Sequence, residues 1–459
     1  MDKKTGGFMN NQEENKMGVA PIGKLLISMS LPTIFSMLIS SLYNVVDSIF
    51  VARISEKALT AVTLAMPLQL LIISVAVGTG VGVNSFISRK LGEKNFDEVN
   101  KAAVNGFMLG ALNYVVFALF GIFFTKMFFQ MFTTDSVVLQ YAIDYTKIVL
   151  IFSFGIFLSI SCEKTIQGTG NMKYPMLFQL IGAVINIILD PILIFGLLGF
   201  PAMGVAGAAI ATVIGQIASM IFAIWVISTK NLGFHFSLKG FKPDLLIIKK
   251  IYEVGLPSIV MQSITSFLAI ALNGILMQFS ETAVSVMGIY NKLQSFIFMP
   301  VFGLNQGLMP LLGYNYGAKN KQRIKDTYKI GVLIATGIML FGMIVFNLFA
   351  KELLLMFDAS PHMLEVGIPA LRIISLCFVF AGIGIINSTV FQAIGDGKLS
   401  LLISILRQAV IILPVSYFGA KFFGVSAVWF AFPISEIVAV TVSVFMLIKA
   451  YNQKIRFLD

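Results

Sequence analysis

The chain has 459 residues, of which 57% are hydrophobic and only 12% charged, with a mean hydropathy of +0.89. A soluble globular domain carries about 25% charged residues, so composition excludes one. The formal net charge of +11 would suit a nucleic-acid binder, but the cations are spread over short connections and read as orientation signals for a membrane protein.

Residues 1–24 are polar and read as a disordered cytosolic tail; the first apolar run is too long for a signal-peptide core and is expected to stay as a helix. Twelve apolar segments follow, near 25–50, 61–88, 102–125, 137–161, 174–198, 203–228, 250–279, 283–312, 327–349, 363–388, 399–420 and 424–448. Each is near the roughly 20 residues a helix needs to cross a bilayer. With the N-terminus in the cytosol, Lys and Arg divide 24 to 5 in favour of cytosolic segments, Lys164 and Lys173 among them. That bias predicts twelve crossings of the cell (plasma or inner) membrane with both termini cytosolic.

An offset of 225 relates the two halves. Leu31-Pro32 falls on Leu256-Pro257, Ser55-Glu56 on Ser280-Glu281, Gly78 on Gly303, Gly82 on Gly307 and Gly92 on Gly317. Gln167 and Gly170 fall on Gln392 and Gly395, and Lys147 on Arg372; after a five-residue deletion, Gly204-Val205 meets Gly424-Val425. Six crossings per half give both halves the same polarity, so a pseudo-two-fold axis lies along the membrane normal. The expected architecture is all-α and polytopic: a six-helix bundle over 25–229, a cytosolic linker over 230–249, a second bundle over 250–450 and a tail over 451–459, with a central cleft between the bundles.

Asp47 and Asp190 are the two Asp residues deep in apolar segments. A carboxylate in hydrocarbon costs roughly 2.5–3.5 kcal/mol or more and marks function by default; the plainer alternative is a helix-end Asp47 paired with Arg53. Helices 1 and 5 run outward in this topology, which puts both acids about two turns below the outer surface. Asn186 lies one turn from Asp190 on the same face, Pro191 frees backbone acceptors beside it, and Thr212 of helix 6 reaches the same level. Two carboxylates, an amide and a hydroxyl suit Na⁺ or a proton, while Thr212 taken singly reads better as a packing residue. Pro32 is expected to bend helix 1, either coupled to Asp47 or as a fixed bend. The position matching Asp47 is Leu272, so the ion site is expected in the first half only. Asn44, Glu436 and Arg407 are candidates for the substrate cleft, Glu436 as a partner for a cation; Lys147 and Arg372 line the cleft or snorkel to an interface. The 42 Phe and 23 Met permit an adaptable apolar cleft surface. Cys162, Cys377, His235 and His362 propose no disulfide or metal site, and neither a P-loop nor a nucleophile–base cluster points to an ATPase or another enzyme.

These features together resemble the multidrug and toxic compound extrusion (MATE) family. The resemblance runs from about residue 24 to 451 and rests on Leu31-Pro32, Tyr43-Asn44-Val45-Val46-Asp47, Ser88-Arg89-Lys90-Leu91-Gly92 and Gln167-Gly168-Thr169-Gly170. Asn186-Ile187-Ile188-Leu189-Asp190-Pro191, Gly204-Val205-Ala206-Gly207 and Leu406-Arg407-Gln408 add to it. It implies export of mostly cationic drugs or metabolites in exchange for H⁺ or Na⁺. It also implies a first-half cation site of Asp47, Asn186, Asp190 and Thr212, with Pro32 at a bend in helix 1. Helix 7 lacks the acid that some branches carry there, and helix 10 offers only Glu365, so a second-half Na⁺ site is not expected. The expectations are a monomer in membrane lipid, with small organic cations as partners, no nucleic acid, and no cofactor beyond the transported H⁺ or Na⁺. Lipid-linked sugar flippases of the same superfamily are the alternative, which Lys147, Arg372 and Arg407 keep open; an uncoupled channel is the third reading.

Overall fold

The computed structural model describes residues 15–239 and 241–458, the side chains of Asn44 and Val45 excepted. The first half contains α1 (Lys16–Val19), α2 (Ile22–Ala52), α3 (Glu56–Gly92), α4 (Phe96–Phe123), α5 (Thr125–Gln130), α6 (Ser136–Ile151), α7 (Phe154–Gly168), α8 (Lys173–Phe195) and α9 (Gly204–Thr229). The second contains α10 (Leu245–Met277), α11 (Glu281–Gly317), α12 (Lys321–Leu348), α13 (Ala350–Leu355), α14 (Pro361–Ser375), α15 (Phe378–Ala393), α16 (Gly397–Ile405), α17 (Leu413–Phe423) and α18 (Ser426–Ala450). Ten spans among the described residues are long and apolar enough to cross a membrane, α16 and α17 forming one of them through a π-turn (Leu406–Ile412). The pairs α6/α7 and α14/α15, bent by 45° and 44°, each make one more, giving twelve crossings.

The repeat recurs at atomic detail in the helix ends. Ser55 Oγ accepts from the Ala58 amide (3.1 Å) and Ser280 Oγ from Ala283 (3.2 Å); Asn95 Oδ1 accepts from Glu98 (3.2 Å) and Asn320 Oδ1 from Arg323 (3.0 Å). Each cap satisfies an amide that the first helical turn leaves unpaired.

Four boundaries differ from the sequence reading. The fourth and tenth spans break, because at Ser153 and Cys377 the backbone tightens to i→i−3 bonds (3.3 and 3.0 Å) and the axis turns. The tail expected to be disordered over 1–24 is ordered from residue 15: Met17 is fully buried and α2 starts at Ile22, while residues 1–14 lie outside the described ones. Arg323 Nη2 donates to the carbonyls of Met17 (3.0 Å) and Ala20 (2.8 Å), and Asn315 Nδ2 to Met17 (3.1 Å), which fixes this segment. The linker ends at Asp244, whose side chain caps α10, and the C-terminal tail is helical through Ile455, whose side chain is buried.

The halves meet where α3 packs on α10 and α11 on α2, and glycine permits the approach. A Cβ on Gly92 would strike the Tyr314 carbonyl, and one on Gly317 the Arg89 carbonyl; Arg89 and Tyr314 are themselves repeat-related. Gly82 meets Ile251 and Gly255, and Gly307 meets Ser30 in the same reciprocal way. All four glycines lie toward the ends of α3 and α11 on the face where α2 begins, called the N-terminal face below. The seam between the halves is shut at that face.

Candidate functional site

Tyr43 and Asp47 share a face of α2, one turn apart; Asn186 and Asp190 do the same on α8; Thr212 stands on α9. The Asp47 and Asp190 carboxyl groups lie within hydrogen-bonding range of each other, as the Tyr43 hydroxyl does of Thr212. Asn186 completes the ring when its amide faces the acid: Nδ2 donates to Asp190 Oδ2 (3.1 Å), and Oδ1 accepts from the Thr212 amide (3.1 Å) and hydroxyl (3.2 Å). Asn186, Asp190 and Thr212 are buried, and Asp47 Oδ1 is a buried acceptor with no hydrogen-bond partner among the described residues. Nearby, Gln69 Nε2 of α3 donates to the Tyr145 hydroxyl of α6 (2.6 Å). Every one of these groups comes from the first half. Pro191 directly follows Asp190 inside α8 and leaves the Ile187 carbonyl without its helical donor.

The remaining sequence candidates scatter. α2 runs unbroken through Pro32, and next to it Thr33 Oγ1 donates to the Gly303 carbonyl of α11 (2.7 Å), tying the helix that carries Asp47 to the other half. Asn44 lies within α2, its side chain outside the described residues. Glu436 and Arg407 form an ion pair in the second half, Nη1 to Oε1 at 3.0 Å. Arg372 is exposed and donates from Nε to the Asn347 carbonyl (3.1 Å); Lys147 is half-buried on α6.

Lys164, counted among the cytosolic loop cations, is instead buried in α7 at the seam. Its Nζ donates to Gln167 Oε1 (2.9 Å) and to Gln306 Oε1 of α11 (3.0 Å), and pairs with Glu163 Oε1 (3.2 Å). Gln167 Nε2 donates to Glu163 Oε1 (2.9 Å) and Gln306 Oε1 (3.0 Å), and Gln179 Nε2 to Glu163 Oε2 (3.2 Å). Gly80 makes room for the Lys164 stem, since a Cβ there would strike it. At the matched place in the second half, Thr389 Oγ1 bonds to Asn305 Oδ1. The sequence signal is the adjacent Glu163-Lys164 pair, which falls just outside a fourth span ended at residue 161, whereas α7 continues to Gly168.

Comparison with known proteins agrees with this architecture. The multidrug export protein MepA of Staphylococcus haemolyticus is 26% identical over 433 residues, 94% of each chain. The FAD transporter of Shewanella oneidensis is 25% identical over 422 residues, 91% of this chain and 92% of its own. A solved multidrug resistance MATE family transporter of the MOP superfamily, in an outward-facing conformation, superposes with a TM-score of 0.90 at 26% identity, covering 96% of this chain and 98% of that one. The MatE family model matches residues 32–192 and again 257–418, one copy per half. The duplicated twelve-span chain, with its buried polar site confined to one bundle, therefore belongs to the MatE family, the multi-pass multidrug and toxic compound extrusion transporters, and is not an enzyme.

Proposed function

We propose that this chain is a cation-coupled antiporter that exports small organic, mostly cationic molecules across the cell membrane in exchange for H⁺ or Na⁺. The observation that carries the reading is the Asp47–Asp190 pair, enclosed by first-half helices with Asn186 and Thr212 on one side and Asp47 Oδ1 unpartnered. Buried acids without a compensating cation are held at a stability cost and are kept where binding and releasing a positive ion is the task. An entering ion meets oxygen ligands from α2, α8 and α9. Because α2 is also tied to Gly303 of α11, movement of Asp47 toward or away from the ion is transmitted to the seam. The N-terminal face is the cytosolic one on the charge count, so a seam shut there isolates the ion site from the cytosol. The likeness to an outward-facing transporter supports the same orientation.

Export is favoured over flipping of lipid-linked pyrophosphates, which calls for a cleft rich in basic groups. Arg372 is spent on a helix carbonyl, and Arg407 has the Glu436 carboxylate against it, so a multiply charged pyrophosphate would meet one guanidinium and a like charge beside it. The test is gradient-driven ethidium transport in proteoliposomes, under a pH step and separately under a Na⁺ step. Asp47→Asn and Asp190→Asn are each expected to reduce gradient-driven transport to background while leaving insertion and melting temperature intact. Transport that persists in both variants removes the coupling role of the pair, and the step that drives the parent names the ion.

A further inference from the structure

Among the described residues, the second half holds an intramembrane charge pair that the ion site does not use. We propose that Arg407 reads a carboxylate or similar oxyanion on the transported molecule, with Glu436 as its positioning residue. This rests on the export reading but not on the Asp47–Asp190 pair.

Arg407 lies about 15 Å along its span from the N-terminal face, and Glu436 about 15 Å along α18 from the opposite one. At that depth the guanidinium cannot snorkel to either interface. Its side chain is nevertheless 30% exposed, while that of Glu436 is 11% exposed. A guanidinium facing lipid in mid-bilayer is strongly unfavourable, so we assign the exposed part to the space between the halves. Glu436 stands behind it, toward the bundle interior: a Cβ on Gly384 of α15 would sit 4.0 Å from Oε2, and the buried Tyr290 lies nearby on α11. A ligand in the cleft therefore meets the guanidinium first. Among the described residues Arg407 makes one hydrogen bond, Nη1 to Glu436, which leaves the other N–H groups of its fork to accept a planar oxyanion.

The fold does not require this pair. The repeat mate of Arg407 is Gly182, where a Cβ would come within 3.3 Å of the Gly215 carbonyl of α9, and the mate of Glu436 is Gln216. The same helix contact thus forms in the first half without any charge. Arg407 also stands in the π-turn, a local widening that adjusts the aim of a side chain and recurs at functional sites.

Two dyes that differ by one ester isolate the proposed contact: rhodamine 6G, an ethyl ester and plain cation, and rhodamine 19, its free acid. Binding to the purified full-length protein in detergent is followed by fluorescence polarisation. The parent is expected to bind the acid on the order of tenfold more tightly than the ester, the strength of one charge-assisted hydrogen bond. Arg407→Gln erases that ratio and Arg407→Lys restores part of it. Because Arg407→Gln strands Glu436, the double variant Arg407→Gln with Glu436→Gln is measured alongside, and it too is expected to bind both dyes alike. Equal affinities in the parent, a preference that survives in the double variant, or no binding of either dye overturns the proposal. A bound ester without preference for the acid leaves the export reading standing, whereas loss of both dyes counts against both.

Discussion

The two halves share a scaffold and differ in chemistry. Where the first half has Tyr43, Asp47, Asn186, Asp190 and Thr212, the second has Leu268, Leu272, Ile411, Val415 and Phe432. The caps at Ser55/Ser280 and Asn95/Asn320 and the glycine contacts at Gly92/Gly317 are common to both. What both halves keep is what the architecture needs; what one half alone keeps is available for work. The largest expected effect comes from copying the second half into the first. The pair Asp47→Leu with Asp190→Val should abolish gradient-driven transport in proteoliposomes. Its melting temperature should hold or rise, since replacing buried charges by apolar groups is often neutral or stabilising by about 1–4 kcal/mol. A variant that loses transport only because it unfolds would show that the acids are structural.

The seam sharpens the comparison from the shared side. Gly92→Val and Gly317→Val should have equal consequences, because each side chain would strike a backbone carbonyl of the opposite half. Both should keep the N-terminal face from closing. With Cys162 and Cys377 replaced by Ala, a reporter Gln306→Cys should become several-fold more reactive toward an impermeant maleimide applied from that face. Labelling that rises for one glycine and not its mate would break the reciprocity.

Most of the scaffold was legible in the sequence because hydrophobic runs and a constant 225-residue offset are one-dimensional signals. The meeting of Asp47 and Asp190 was legible for the same reason: two rare charges at one depth have few other places to be. The bends at Ser153 and Cys377 were not, since they arise from i→i−3 backbone bonds with no glycine or proline at the break itself. Ending the fourth span at residue 161 put Lys164 in a loop, and with it hid the polar cluster across the seam. Glu436 and Arg407 were each visible as intramembrane charges, but nothing in their spacing of 29 residues disclosed that they pair.

Lys164 and Thr389 occupy matched positions and should differ in cost. Lys164→Gln leaves Glu163 without its cation, an effect of about 3–5 kcal/mol for a buried pair. Thr389→Val removes a neutral hydrogen bond to Asn305, about 1 kcal/mol. Thermal unfolding in detergent should rank them in that order. Lys164→Thr combined with Glu163→Ser and Gly80→Asn, which copies the second half, should recover most of the loss. Failure to recover would mean that the cluster depends on its charges and not merely on filled space.

The smallest effect is expected on the opposite face, where Asp135 caps α6 and Ser360 caps α14. Asp135 Oδ1 accepts from the amides of Val137 (2.9 Å) and Val138 (3.1 Å), and Oδ2 pairs with Lys57 at 2.7 Å. The Lys57 ammonium and the helix amides hold the Asp135 carboxyl below its ordinary range, near 3.9. A carboxylate whose folded value is depressed contributes stability that is complete above the unfolded value and is lost as pH falls through the folded one. Asp135→Ser copies the other half, keeping a cap while giving up an exposed ion pair of little worth. At neutral pH the variant should melt within experimental error of the parent or slightly below it. Any gap should close as the pH falls toward 3, because protonation removes from the parent what the substitution has already removed from the variant. A gap that widened in acid would mean that the carboxyl, and not the charge on it, supports the start of α6.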